Sequence, residues 1–120
     1  MRFAETYLLL AEAQFKQGKL AEAAISLNVL SARANATPVT AGQVTLDYIL
    51  DERARELLGE ENRRMTLMRT GTLVTRAIAL NSNTAANPLN GLTNKNLLLP
   101  IPLTEINLNK DAVLEQNPGY

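Results

Sequence analysis

Apolar residues recur at spacings of three and four through the first two-thirds of this chain, a spacing that specifies helices with one buried face. Residues 2–17 carry Phe3, Tyr7, Leu8, Ala11 and Phe15, and residues 20–34 carry Leu20, Ala23, Ala24, Leu27 and Leu30. Gly18-Lys19 separates the two stripes, with a residue that accepts the left-handed backbone a helix end needs. Helices joined by so short a connection pack antiparallel, and the many alanines let their axes approach closely. Residues 1–35 therefore read as one helical hairpin, with Phe3, Tyr7 and Phe15 in its core.

Thr37-Pro38 ends that hairpin, and Thr40-Ala41-Gly42-Gln43 has the form of a capping box. A third helix is predicted over 41–58, burying Val44, Ile49, Leu50, Ala54 and Leu57. Gly59 marks a break. A fourth helix is predicted over 61–80 with Met65, Met68, Val74, Ala77 and Ile78, and Gly71 inside it is a point of kinking or splitting. Met65 and Met68 read as core filling.

The character changes at Asn81. Residues 81–96 are rich in Asn, Ser, Thr and Gly, which is loop composition. Leu97-Leu98-Leu99-Pro100-Ile101-Pro102 is extended, because its two prolines forbid helix. Thr104-Glu105-Ile106-Asn107 opens a single helical turn, and the chain closes on Gln116-Asn117-Pro118-Gly119-Tyr120. The expected fold class is all-α, with antiparallel helical hairpins over 1–80 (1–35 and 41–80) and a long irregular segment over 81–120 packed on the helices.

Composition removes several classes of function. The chain has neither cysteine nor histidine, which excludes disulfides, thiolate chemistry, the usual zinc ligands and the commonest general base. Its 12 basic and 12 acidic residues cancel, leaving no long-range field for nucleic acid. No run of eighteen apolar residues exists, so nothing here reads as a membrane span. Glu5 and Glu12 interrupt the first apolar run, which is not a signal peptide. No phosphate loop or nucleotide fingerprint appears, and no cofactor or metal is expected.

The most unusual polar string is Asp51-Glu52-Arg53-Ala54-Arg55-Glu56-Leu57-Leu58-Gly59-Glu60-Glu61-Asn62-Arg63-Arg64. Arg53, Glu56 and Glu60 stand at i, i+3 and i+7, on one face of a continuous helix. Glycoside hydrolysis needs two carboxylates opposed across a substrate, and carboxylates stacked along one helix beside arginines do not form that cleft. We read Glu52, Arg53, Glu56, Glu60 and Arg63 as a structural ion network locking the third helix to the fourth, with no catalytic residue. Sugar sites usually offer an aromatic platform, and only Tyr48 and Tyr120 remain once the first hairpin is filled. The asparagines of 81–96 read as loop composition, so no ligand-binding residue is assigned within the chain.

The first hairpin resembles a tetratricopeptide repeat at Leu10, Ala11, Gly18, Ala23 and Leu27, without the signature tryptophan of that pattern. A single repeat cannot bury its own face, which leads us to expect further helices upstream of Met1. Over nearly its whole length the chain also resembles the C-terminal portion of the SusD/RagB family. The matching pieces are Arg2, Glu5, Tyr7, Leu8 and Ala11-Glu12-Ala13; then Asn28 and Arg33-Ala34; then Glu52-Arg53, Glu56-Leu57, Glu60, Arg63 and Arg69. Leu99-Pro100-Ile101-Pro102 with Glu105-Ile106 and the ending Gln116-Asn117-Pro118-Gly119-Tyr120 complete the order. Arg64, Met65 and Thr66 depart from the family, which has an aromatic and an aspartate there.

The resemblance implies a lipid-anchored protein of the outer-membrane surface in Bacteroidetes-type bacteria. Such proteins capture nutrients, commonly glycans, and deliver them to a SusC-type TonB-dependent transporter by binding and not by catalysis. It further implies that the oligosaccharide is held mainly by parts of the parent outside this chain, and that the lipidated cysteine lies upstream of Met1. The alternative is a tetratricopeptide-type adaptor holding a protein or peptide in a helical groove.

Overall fold

The computed structural model describes residues 2–81 and 92–120, whose regular structure is helical with no strand among them. In chain order the helices are α1 (Phe3–Lys16), α2 (Leu20–Arg33), α3 (Leu46–Glu56), α4 (Arg63–Arg69), α5 (Leu73–Leu80) and α6 (Leu103–Leu108). The all-α expectation holds. The chain divides into two compact units, Met1–Asn62 and Arg63–Tyr120.

In the first unit α1 and α2 form an antiparallel pair, and α3 packs on α1. The turn between α1 and α2 is made by Gly18 at φ +75°. Its N–H bonds Phe15 O at 2.9 Å and the Lys19 N–H bonds Gln14 O at 2.9 Å, so the last carbonyls of α1 are satisfied within the turn. The core is a contiguous cluster that includes Ala4, Leu8, Ala11, Ala23, Leu27, Leu30, Ile49 and Leu57. Alanine at positions 4, 11, 23 and 24 keeps the helix surfaces close. Leu8, Leu27 and Ile49 fill the space between them and are essentially inaccessible to water. Each such side chain contributes about 1.5–3 kcal/mol through removal of its apolar surface.

Phe3 departs from the expected core. Ala4, Leu8 and Ala11 point inward, and 3.6 residues per turn sets the preceding positions Phe3, Tyr7 and Leu10 about 100° around the helix. Phe3 is 79% exposed, while Tyr7 and Phe15 are partly buried against the core.

The predicted helix over 41–58 begins later. Thr40 and Gln43 do interact, with the Thr40 N–H and hydroxyl both donating to Gln43 Oε1 at 2.9 Å. Yet the box closes a 3-10 turn, Ala41–Gln43, and Val44 follows in extended conformation. Thr45 is the cap of α3, its hydroxyl accepting from the Tyr48 N–H at 3.0 Å. The stretch before this turn is held by Asn28, whose side chain accepts from the Val39 N–H at 2.8 Å and donates to Val39 O at 2.9 Å. The buried face of α3 is also rotated from the expected one: Ala54 is exposed and Arg53 is buried.

In the second unit the helix predicted over 61–80 is split. Gly71 adopts φ +70°, and the Thr72 N–H bonds Leu67 O at 2.8 Å, which terminates α4. The break turns the expected stripe outward. Met65 is 60% and Ile78 51% exposed, and Thr66, Leu67, Leu73 and Arg76 are buried instead. The expected filling role of Met65 is therefore overturned; Met68 is half-buried.

A 3-10 turn at Asn94–Leu97 packs against α5, and residues 98–102 run extended into α6. The closing residues pin that extended run. Gln116 accepts from the Ile101 N–H at 2.8 Å and donates to Ile101 O at 2.9 Å. Asn117 donates to Leu99 O at 2.6 Å and the Tyr120 hydroxyl to Leu98 O at 3.1 Å. Lys95 closes the clasp, donating to Gly119 O at 3.1 Å with its ammonium 4.6 Å from the centre of the Tyr120 ring. Gly119 stands at φ +93°, and a Cβ there would meet the Lys95 side chain at 3.1 Å.

Candidate functional site

The densest polar constellation of the first unit is built where α3 ends against α1 and α2. Glu56 is the last residue of α3, and its carboxylate is 6% exposed. Arg33, at the end of α2, grips it with Nη2 at 2.6 Å from Oε2 and 2.8 Å from Oε1. Arg2, just before α1, reaches Glu56 Oε1 at 3.3 Å and its main-chain oxygen at 2.8 Å. The same guanidinium bonds Glu60 Oε2 through Nε at 2.7 Å. Arg2 thereby ties the start of α1 to the end of α3 and to the turn beyond it.

Arg53 forms a second, deeper centre. Its side chain is 2% exposed, with Nε 2.6 Å from Glu61 Oε1, and Glu61 is itself buried. Glu5 lies 3.7 Å from Arg53 Nη2. Glu52 stands apart, bonded to Arg55 at 2.7 Å on the surface of α3. Arg55 in turn lies over the Tyr48 ring, 5.9 Å from its centre. Arg63 opens α4 in the second unit and lines a cavity there.

The predicted string thus supplies real ion pairs, but Glu60 lies beyond the end of α3 and shares no helix face with Arg53 and Glu56. The partners that sequence spacing did not offer are Arg2, Glu5, Arg33 and Glu61. Three of them are remote in the chain, and only the pairing of α2 with α1 and the packing of α3 on α1 bring them to this place. Arg2, Glu5 and Arg33 were legible as family motif positions without a role attached. Glu61 sits inside the charged string, eight residues from Arg53, a distance a helix would not bridge.

Chemically the constellation holds charges in place. Glu52, Glu56 and Glu60 each have a guanidinium nitrogen within 2.7 Å, a geometry of paired ions and not of two carboxylates opposed across a cleft. Among the described residues no group of three acidic side chains is arranged to hold a metal ion. No described helix is long and apolar enough to cross a membrane. The asparagines at 83, 87 and 90 lie outside the described residues. Asn94 and Asn96 belong to the 3-10 turn, where Asn96 accepts from the Thr93 N–H at 2.8 Å.

Beside the Glu56 centre opens an apolar groove of about 540 Å³ between α1 and α2, lined by Phe3, Tyr7 and Val29 and bounded by Arg2, Arg33 and Glu56. Phe3 and Tyr7 meet at a ring separation of 5.9 Å with planes tilted by 54°. A smaller concavity of about 240 Å³ lies between Arg2, Glu5, Glu60 and Glu61.

Comparison with known proteins places this scaffold. A family model described as the SusD family matches residues 1–120. Starch-binding protein SusD of Bacteroides thetaiotaomicron is 36% identical over 126 residues, a match covering 99% of this chain and 21% of that protein. The chain therefore spans about a fifth of the length of the relative it matches. No solved structure matches it. Matching over its full length, and agreeing with the order of motifs from Arg2 to Tyr120, the chain belongs to the SusD family.

Proposed function

We propose that this chain is the helical scaffold portion of a SusD-like protein that captures glycan at the outer-membrane surface and passes it to a SusC-type TonB-dependent transporter. The observation that carries the reading is the 36% identity to a protein named for binding starch, over 99% of the chain. The physical features agree with a scaffold role. At the Glu56 and Arg53 centres the charged side chains are spent on one another, and Arg33–Glu56 and Arg53–Glu5 tie α2 and α1 to α3. In the second unit the closing residues are spent on the main chain of 98–102. Membrane association is assigned to an N-terminal lipid outside these 120 residues, and glycan contact mainly to other parts of the parent.

Retardation in gels containing soluble starch or other polysaccharides tests this directly. A SusD-family polypeptide carrying these residues within its full length is expected to be retarded, and co-purification with an adjacent transporter is expected in detergent. The 120-residue chain alone is expected to migrate as it does in a blank gel. Strong retardation of the chain alone by neutral polysaccharide would move the main binding site into these residues.

A second reading, an adaptor that holds a protein or peptide, has one feature in its favour: the groove floored by Phe3, Tyr7 and Val29, with Phe3 79% and Val29 41% exposed. Absence of polysaccharide binding by the full-length polypeptide, together with capture of a peptide at Phe3, would favour it.

A further inference from the structure

We draw no further inference here: the strongest candidate, the apolar groove between α1 and α2 floored by Phe3, Tyr7 and Val29, carries nothing beyond the second reading above, because nothing in the structure shows what covers it.

Discussion

Two kinds of side chain do most of the joining in this protein, and they differ in how much depends on each. The first is the buried arginine. Arg53 is 2% exposed against Glu61, whereas Arg55 is 60% exposed against Glu52. Removing one partner of a buried pair leaves its counter-charge in a poorly hydrated place at a cost of about 3–5 kcal/mol, while an exposed pair is worth about 0–1 kcal/mol. Arg53→Ala is therefore expected to lower the urea midpoint sharply, and Arg55→Ala to leave it nearly unchanged. Equal midpoints for the two variants would show that the Arg53 centre adds no more than a surface pair. The second kind is the carboxamide used as a substitute strand. Asn28 at Val39 and Gln116 at Ile101 each present one donor and one acceptor to the N–H and C=O of a single extended residue. A buried main-chain group needs a partner as much as a side chain does, and here one amide supplies both.

At the level of elements, the turns decide more than the helices. Position 71 ends α4 after seven residues through a left-handed glycine, and the face that α5 then buries differs from the one a continuous helix would bury. The clasp over residues 98–102 shows the same dependence. Its prolines remove two N–H groups and bar helix, so the segment is held by bonds from Gln116, Asn117 and Tyr120. Gln116→Ala is expected to raise the hydrogen-exchange rate of the Ile101 amide by at least about tenfold, since loss of roughly 1.4 kcal/mol of protection corresponds to that factor. The amides of α1 and α2 should be unchanged. An Ile101 amide as slow in the variant as in the parent would mean that Gln116 is not its effective partner.

For the molecule as a whole, apolar burial is unevenly shared. The buried apolar residues from Ala4 to Leu57 all belong to Met1–Asn62, and among the described residues only Leu67 and Leu73 represent Arg63–Tyr120. Opening free energy follows local burial, so native-state hydrogen exchange should find its slowest amides in α1, α2 and α3, around Leu8, Leu27 and Ile49. Exchange in α4 and α5, where only Leu67 and Leu73 are buried apolar residues, should be faster. Slowest exchange in α4 and α5 would contradict this distribution.

The sequence by itself determined the helical class, the break at Gly18, the extended run at Pro100 and Pro102, and the family. These rest on spacing, on φ preferences and on the order of short motifs, all of which are local. It also flagged the charged string of Glu52, Arg53, Glu56 and Glu60. Only tertiary structure decided which charges meet, because Arg2, Arg33 and Glu5 reach that string through the pairing of α2 with α1 and the packing of α3 on α1, and long-range pairing leaves no mark on spacing. The same holds for Phe3 on the flank of its helix, and for Arg53 inside and Ala54 outside. A helical stripe fixes that one face is buried. How far the helix is turned, and where a glycine ends it, is settled by the neighbours it packs against.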